Sequence, residues 1–349
     1  MNIKRYLLIF VVPLTLMGAL ATRDAVGAGI LYIGDGADNT IKRFDAETGT
    51  FLDADADPAN DPDAFVRSAS GGLNGPRGIL FDGNLLVANQ NVDLKIPGEI
   101  LRFDGQTGAF QGALVPSTDK NTPFAPRGII LGANRNLYVA DLTSAGRATG
   151  RLPTYDAAGN FLGDLDPKPF QNNDFHPRAV VFGPDGFLYV SVRDLKKDGL
   201  GGHVLRFKSD GSFDKVFIAD NGGVGKLNRP EGLVFGPDGN LYITSFRANP
   251  GDTDSIRIYY SGSGDFKSKI DLYTPSQPRA FAQAILFGPN GCLFVPVNNT
   301  GEVRRYYTGI GSCDAPSPYH SFVAPGGTLK APWYLTFGKT DPKTLEYRP

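Results

Sequence analysis

One pattern of apolar and polar positions recurs along the chain. It reads proline, arginine, small residue, three or four apolar residues, a glycine-rich turn, then Leu-aromatic-Val. Its copies are Pro76–Phe81, Pro126–Leu131, Pro177–Phe182, Pro230–Phe235 and Pro278-Arg279-Ala280, the last running on to Ile285-Leu286-Phe287. A final half-copy is Pro332–Phe337. The prolines stand 50, 51, 53, 48 and 54 residues apart. Turns such as Gly183–Gly186 and Gly236–Gly239 combine a proline that presets φ with a glycine free to take positive φ. Each leads to a second strand (Leu188-Tyr189-Val190), a third (Val204–Phe207) and a fourth (near Phe213). Four short strands per unit of ~40–50 residues predict an all-β propeller with one blade per copy.

The two ends complete each other. Gly29–Ile33 is a second strand without a first, followed by a third at Thr40–Phe44 and a fourth at Gly49-Thr50-Phe51. Pro332–Phe337 is a first strand without a second. Joined, they make blade 1, completed by residues 330–340, and bring the count to six. Pairing of the N- and C-terminal segments leaves no open sheet edge at the seam. The P-x-G-[apolar]…D-G-x-L-Y-V pattern resembles NHL repeats. That resemblance covers essentially all of residues 22–349 and implies one six-bladed propeller of four-stranded blades. The fold is shared with gluconolactonase-like and strictosidine-synthase-like proteins. It does not specify function, because the scaffold hosts lyases, lactonases and binding modules.

Composition narrows the partners. At 41% hydrophobic residues the chain can bury a full core, and 44 Gly with 26 Pro make it turn-rich. The 35 basic and 36 acidic residues nearly cancel, which argues against a nucleic-acid binder. Three His and two Cys exclude zinc-finger or multi-His arrays. Residues 1–21 read as a secretory signal: basic Lys4 and Arg5, an apolar Tyr6–Leu16, and an Ala19-Leu20-Ala21 cleavage site. Tyr6–Ala21 is too short to span a bilayer and contains Pro13. The expected product is a monomeric, secreted or periplasmic protein, free of the membrane once the signal is removed. Cys292 starts the second strand of blade 6 and Cys313 lies in its third turn, at the same end of the blade. In an oxidising compartment they are expected to pair as a structural disulfide.

The loops between second and third strands lie at the end where the innermost strands begin. They are long in blades 2 to 5 (Asn89 to Glu99, Asp141 to Gly150, Arg193 to Gly202, Ser245 to Asp254) and short in blades 1 and 6. Long loops on one face of a rigid scaffold carry function. The residue after each repeat proline starts the innermost strand at that face: Arg77, Arg127, Arg178, Glu231, Arg279 and Trp333. Converging guanidinium groups in a concave mouth suit an anion, a small ligand or a group on a protein partner. The same repetition fits a structural job, each Arg pinning its neighbouring blade.

Other chemistry carries less weight. Resemblance to gluconolactonase-like proteins implies a divalent metal such as calcium, for which Glu231, Asn89, Asp141, Asn298 and Asp35 are the available oxygens, and a metal-dependent hydrolase as the alternative activity. His176, His203 and His320 are scattered, unlike the histidines around zinc in NHL-type amidoglycolate lyases. A single Trp departs from virginiamycin-lyase-like propellers, which repeat it. The run Asp53, Asp55, Asp57, Asp61, Asp63 lacks the glycine and closing glutamate of an EF-hand, with Pro58 and Ala64 in their places, and reads as a solvated acidic loop. A third reading is a structural module of an envelope or matrix assembly. Whether the protein is an enzyme stays open in the sequence.

Overall fold

The computed structural model describes residues 29–54, 63–143, 149–168, 175–194, 199–220, 222–275 and 277–349. The segment read as a signal therefore lies outside the described residues, as do Asp55, Asp57 and Asp61. Six antiparallel sheets form the blades of a propeller, each built from consecutive strands except at the seam. Blade 2 runs from the channel outward as Pro76–Phe81, Asn84–Asn89, Glu99–Asp104 and Phe110–Val115. Blades 3 to 6 repeat the order from Pro126–Leu131, His176–Phe182, Leu233–Phe235 and Leu286–Phe287. In blade 1, Ile30–Asp35 lies between Thr40–Asp45 and the C-terminal Pro332–Phe337. Its fourth strand is reduced to a single bridge, Phe44 to Phe51.

The recurring residues have recurring physical jobs. The aromatic on the second strand of one blade packs on the phenylalanine ending the inner strand of the next. The pairs are Tyr32 on Phe81, Tyr138 on Phe182, Tyr189 on Phe235, Tyr242 on Phe287 and Phe294 on Phe337, with ring centroids 5.0–5.4 Å apart. The last pair closes the ring across the seam. Between blades 2 and 3 aliphatic residues take over, Leu86 and Leu131 belonging to one core cluster. The small residue after each rim position lets neighbouring inner strands approach. A Cβ on Gly128 would lie 2.7 Å from the Ala179 Cα, and one on Gly232 2.7 Å from the Ala284 Cα.

Side chains ending the second strands answer the prolines. The amides just before each proline lie ahead of the inner-strand ladder, so they need acceptors elsewhere. Asp35 accepts from the Lys330 and Ala331 amides, Asn89 from Asn74, Asp141 from Phe124 and Ala125, and Ser245 from Asn228.

Below the ring, residues 338–349 cross the channel. The amides of Leu131 and Phe182, at the lower ends of two inner strands, donate to the carbonyls of Pro342 and Lys343. Leu345 then packs against core clusters belonging to different blades and lines the channel from beneath. Cys292 and Cys313 form the expected disulfide, with Cα atoms 5.0 Å apart. Among the described residues no helix is long and apolar enough to cross a membrane.

Candidate functional site

Five of the six predicted rim residues fall in the expected phase. Arg77, Arg127, Arg178 and Trp333 each follow the repeat proline on the inner strands of blades 2, 3, 4 and 1, and Glu231 follows Pro230 just ahead of the inner strand of blade 5. In blade 6 the structure gives that position to Gln283 instead of Arg279. Gly232 meets Gln283 and Ala284 across the ring as Gly128 meets Arg178 and Ala179, and the Arg127 Nη1 donates to the Gln283 Oε1 at 3.0 Å. Residues 278–281 are an insertion ahead of the strand, and Phe281 takes a left-handed φ of 51° there.

Glu231 is the centre of the ring's electrostatics. It is 2% exposed and pairs through Oε1 with Arg178, at 3.4 Å, and with Arg193. Burial alone would raise its pKa. Arg178, Arg193, Arg127 and Arg77 outweigh that and hold the carboxyl below its ordinary value, so it is ionised at neutral pH. The guanidinium groups carry the reverse strain. Burial, with Arg127 adding repulsion, pushes Arg77 down to about 8, and burial pushes Arg178 down to about 10. Arg77 lies over the Trp333 indole and donates through Nε to Gln90 at 2.6 Å. Tyr334, the one large residue in the layer of small ones, is pushed up to about 12 by burial and by Glu231.

Several polar atoms of this cluster are buried and have no partner: Arg77 Nη1, Arg127 Nε, Arg178 Nε, Tyr334 Oη, Trp333 Nε1 and Glu231 Oε2. Buried polar groups are satisfied in most folded proteins, so a concentration of orphans at one place needs a reason. Directly beneath, Gly78, Gly128, Ala179, Gly232, Ala284 and Tyr334 border an open space of about 40 Å³ in the channel.

A second basic wall stands beside the ring. Phe246 lies between Arg193 and Arg279, 5.2 and 4.8 Å from its ring centre. Arg279 pairs with Asp254 at 3.2 Å, and Arg229 is pressed below its ordinary pKa by burial and by Arg279 and Arg193. Neither Arg193, Arg229 nor Tyr334 was singled out from sequence as a site residue. Arg193 ends its second strand one position beyond that register: Asp35, Asn89 and Asp141 pair with their repeat prolines, whereas in blade 4 Val192 pairs with Pro177 and Arg193 with His176.

The oxygens proposed for a metal do not come together as one site. Asp35, Asn89 and Asp141 spend theirs on the backbone amides described above, and Asp35 also on Lys42 at 2.7 Å. Glu231 sits among arginines, where a dication would meet like charge. Among the described residues no three of His, Cys, Asp and Glu are grouped to hold a metal ion. The arrangement does not fit a divalent cation. The histidines are dispersed: His176 contacts the Leu142 carbonyl, His203 lies between Asp194 and the Asp220 amide, and His320 accepts from Arg305. Asp53 holds Arg43 at 2.7 Å.

No family model matches the chain, and no curated protein matches it by sequence. Solved structures do resemble it. Virginiamycin B lyase from Staphylococcus aureus aligns at 16% identity over 81% of this chain and 78% of that one, with a TM-score of 0.51. A catalytically inactive form of that lyase with quinupristin aligns at 14% over 87% and 88%, also at 0.51. A gluconolactonase from Xanthomonas campestris aligns at 16% over 66% and 72%, at 0.48. At these identities the likeness to the lyase extends to the overall fold alone.

Proposed function

We propose that this is an exported binding propeller whose arginine-lined channel mouth takes a small anion, free or carried by a partner protein. The observation that carries the reading is the set of unpartnered donors on Arg77, Arg127, Arg178 and Tyr334, buried together at one opening. Arg77 and Arg178, held below their ordinary pKa, are relieved by an incoming negative charge, and a shielded mouth strengthens the attraction. The chain as a whole has a net charge of only −1, so the basic mouth is a local feature rather than a reflection of composition. Export is supported by the signal-like residues 1–21 and by the disulfide.

Calorimetric titration of phosphate and small carboxylates into the wild-type protein tests the reading, with Arg127→Ala and Arg77→Ala as controls. Each charge-assisted hydrogen bond lost contributes about 1.5–3 kcal/mol, so either variant is expected to bind at least about tenfold more weakly. Wild-type protein that takes up no anion, or variants with unchanged affinity, would overturn it.

A further inference from the structure

We propose that Glu231 makes this a site for oxyanions that bring their own O–H donor, hydrogen phosphate or a hydroxycarboxylate, and that it rejects anions without one, such as sulfate. The proposal rests on the anion reading above and adds the chemical class.

An anion site built only to attract charge has no use for a buried carboxylate. Here Glu231 sits in the ring itself, at the phase where blades 2 to 4 carry arginine. Its Oε1 is engaged by Arg178 and Arg193, while its Oε2 is buried and has no partner. The surrounding arginines keep it ionised, so Oε2 accepts hydrogen bonds and donates none. The unpartnered groups around it, Arg77 Nη1, Arg127 Nε, Arg178 Nε and Tyr334 Oη, include three that only donate. A ligand that satisfies the whole cluster therefore presents several acceptor oxygens and one donor. Sulfate and hydrogen phosphate have the same tetrahedral shape and differ in this respect. Sulfate turns an oxygen lone pair toward Oε2, leaving the carboxylate unpaired and facing like charge. Hydrogen phosphate turns a P–O–H toward it. Acetate and glycolate form the corresponding carboxylate pair, the hydroxyl of glycolate supplying the donor.

The test is a matched-pair titration at pH 7 of full-length wild-type protein, phosphate against sulfate and glycolate against acetate. A site that must pair a buried acceptor is expected to favour the donor-bearing member by at least about tenfold. The pair bound more tightly tells whether the natural anion is a phosphate or a carboxylate. Equal affinity within both pairs overturns the role of Glu231 while leaving an anion site standing. No binding of any of the four overturns both readings. Glu231→Gln, whose amide offers a donor in place of the acceptor, is expected to narrow or reverse the phosphate preference. A folded Glu231→Gln protein with unchanged selectivity would also overturn the proposal, and the wild-type ratios decide the matter if that variant does not fold.

Discussion

Glu231 ties ionisation to folding as well as to selectivity. Its pKa lies below the ordinary 4.5 in the folded protein because four arginines surround it. A carboxyl with a lowered folded pKa contributes stability that is present above its unfolded pKa and lost as pH falls through the folded value. Urea melts of the wild-type protein are therefore expected to show a loss of stability on acidification below about pH 4.5 that is smaller in Glu231→Gln. Equal acid dependence in the two would show that the buried pairs do not couple to folding. Arg77 gives a second handle. Burial and repulsion from Arg127 press its guanidinium below the ordinary value, so a bound anion that offsets its charge is expected to raise the melting temperature. Thermal melts with and without phosphate check this, and a shift equally large in Arg77→Ala would remove Arg77 from binding.

At the scale of elements, the blade is held to its neighbour by one aromatic on each side, and those two residues are the ones the repeat kept returning to. Removing a buried phenylalanine ring costs about 3–5 kcal/mol. Phe337→Ala is expected to reach the upper part of that range, because Phe337 packs on Phe294 across the seam and on Tyr347 of the crossing tail. Leu131→Ala, in the aliphatic interface, serves as the comparison, and thermal melts of both variants check the ranking. The repeat made these strands readable from sequence, since alternation and turn chemistry are local. It also misled at one point. Pro278-Arg279-Ala280 copies the start of an inner strand, whereas the strand itself is announced by Ala282-Gln283-Ala284, which has neither proline nor arginine. A rim residue is defined by which small residue follows it in the ring, and that is a contact between blades rather than a property of one segment. The pairing of Glu231 with Arg193 escaped the sequence for the same reason.

For the whole molecule, ring closure and channel floor come from one short stretch. The inner strand Pro332–Phe337 completes blade 1, and residues 338–349 cross beneath, with Leu345 reaching core clusters of several blades. The strand was legible because it carries the repeat. The crossing was not, because residues 338–349 carry no copy of the repeat and pack through only two large residues, Leu345 and Tyr347, in a polar segment. Deleting residues 330–349 is expected to give aggregated or unfolded material, since an unpaired edge of Ile30–Asp35 would be exposed. Deleting only 341–349 leaves every strand of the ring in place and is expected to give a folded protein of lower melting temperature with a channel open below. Size-exclusion chromatography and melting curves separate the two cases, and a monomeric 330–349 deletion with the full-length melting temperature would contradict the closure.

The seam also sets the order in which the molecule can become whole. Asp35 receives the amide of Lys330, a partner 295 residues further along the chain. The earliest strand in the ring thus waits for the latest, and a polypeptide leaving a ribosome or threading a translocation pore cannot finish its circle until nearly all of it has emerged. Intermediate blades can form behind it, but each such precursor is an open arc with an edge to guard. The topology itself thus postpones completion of the ring until its last inner strand is available.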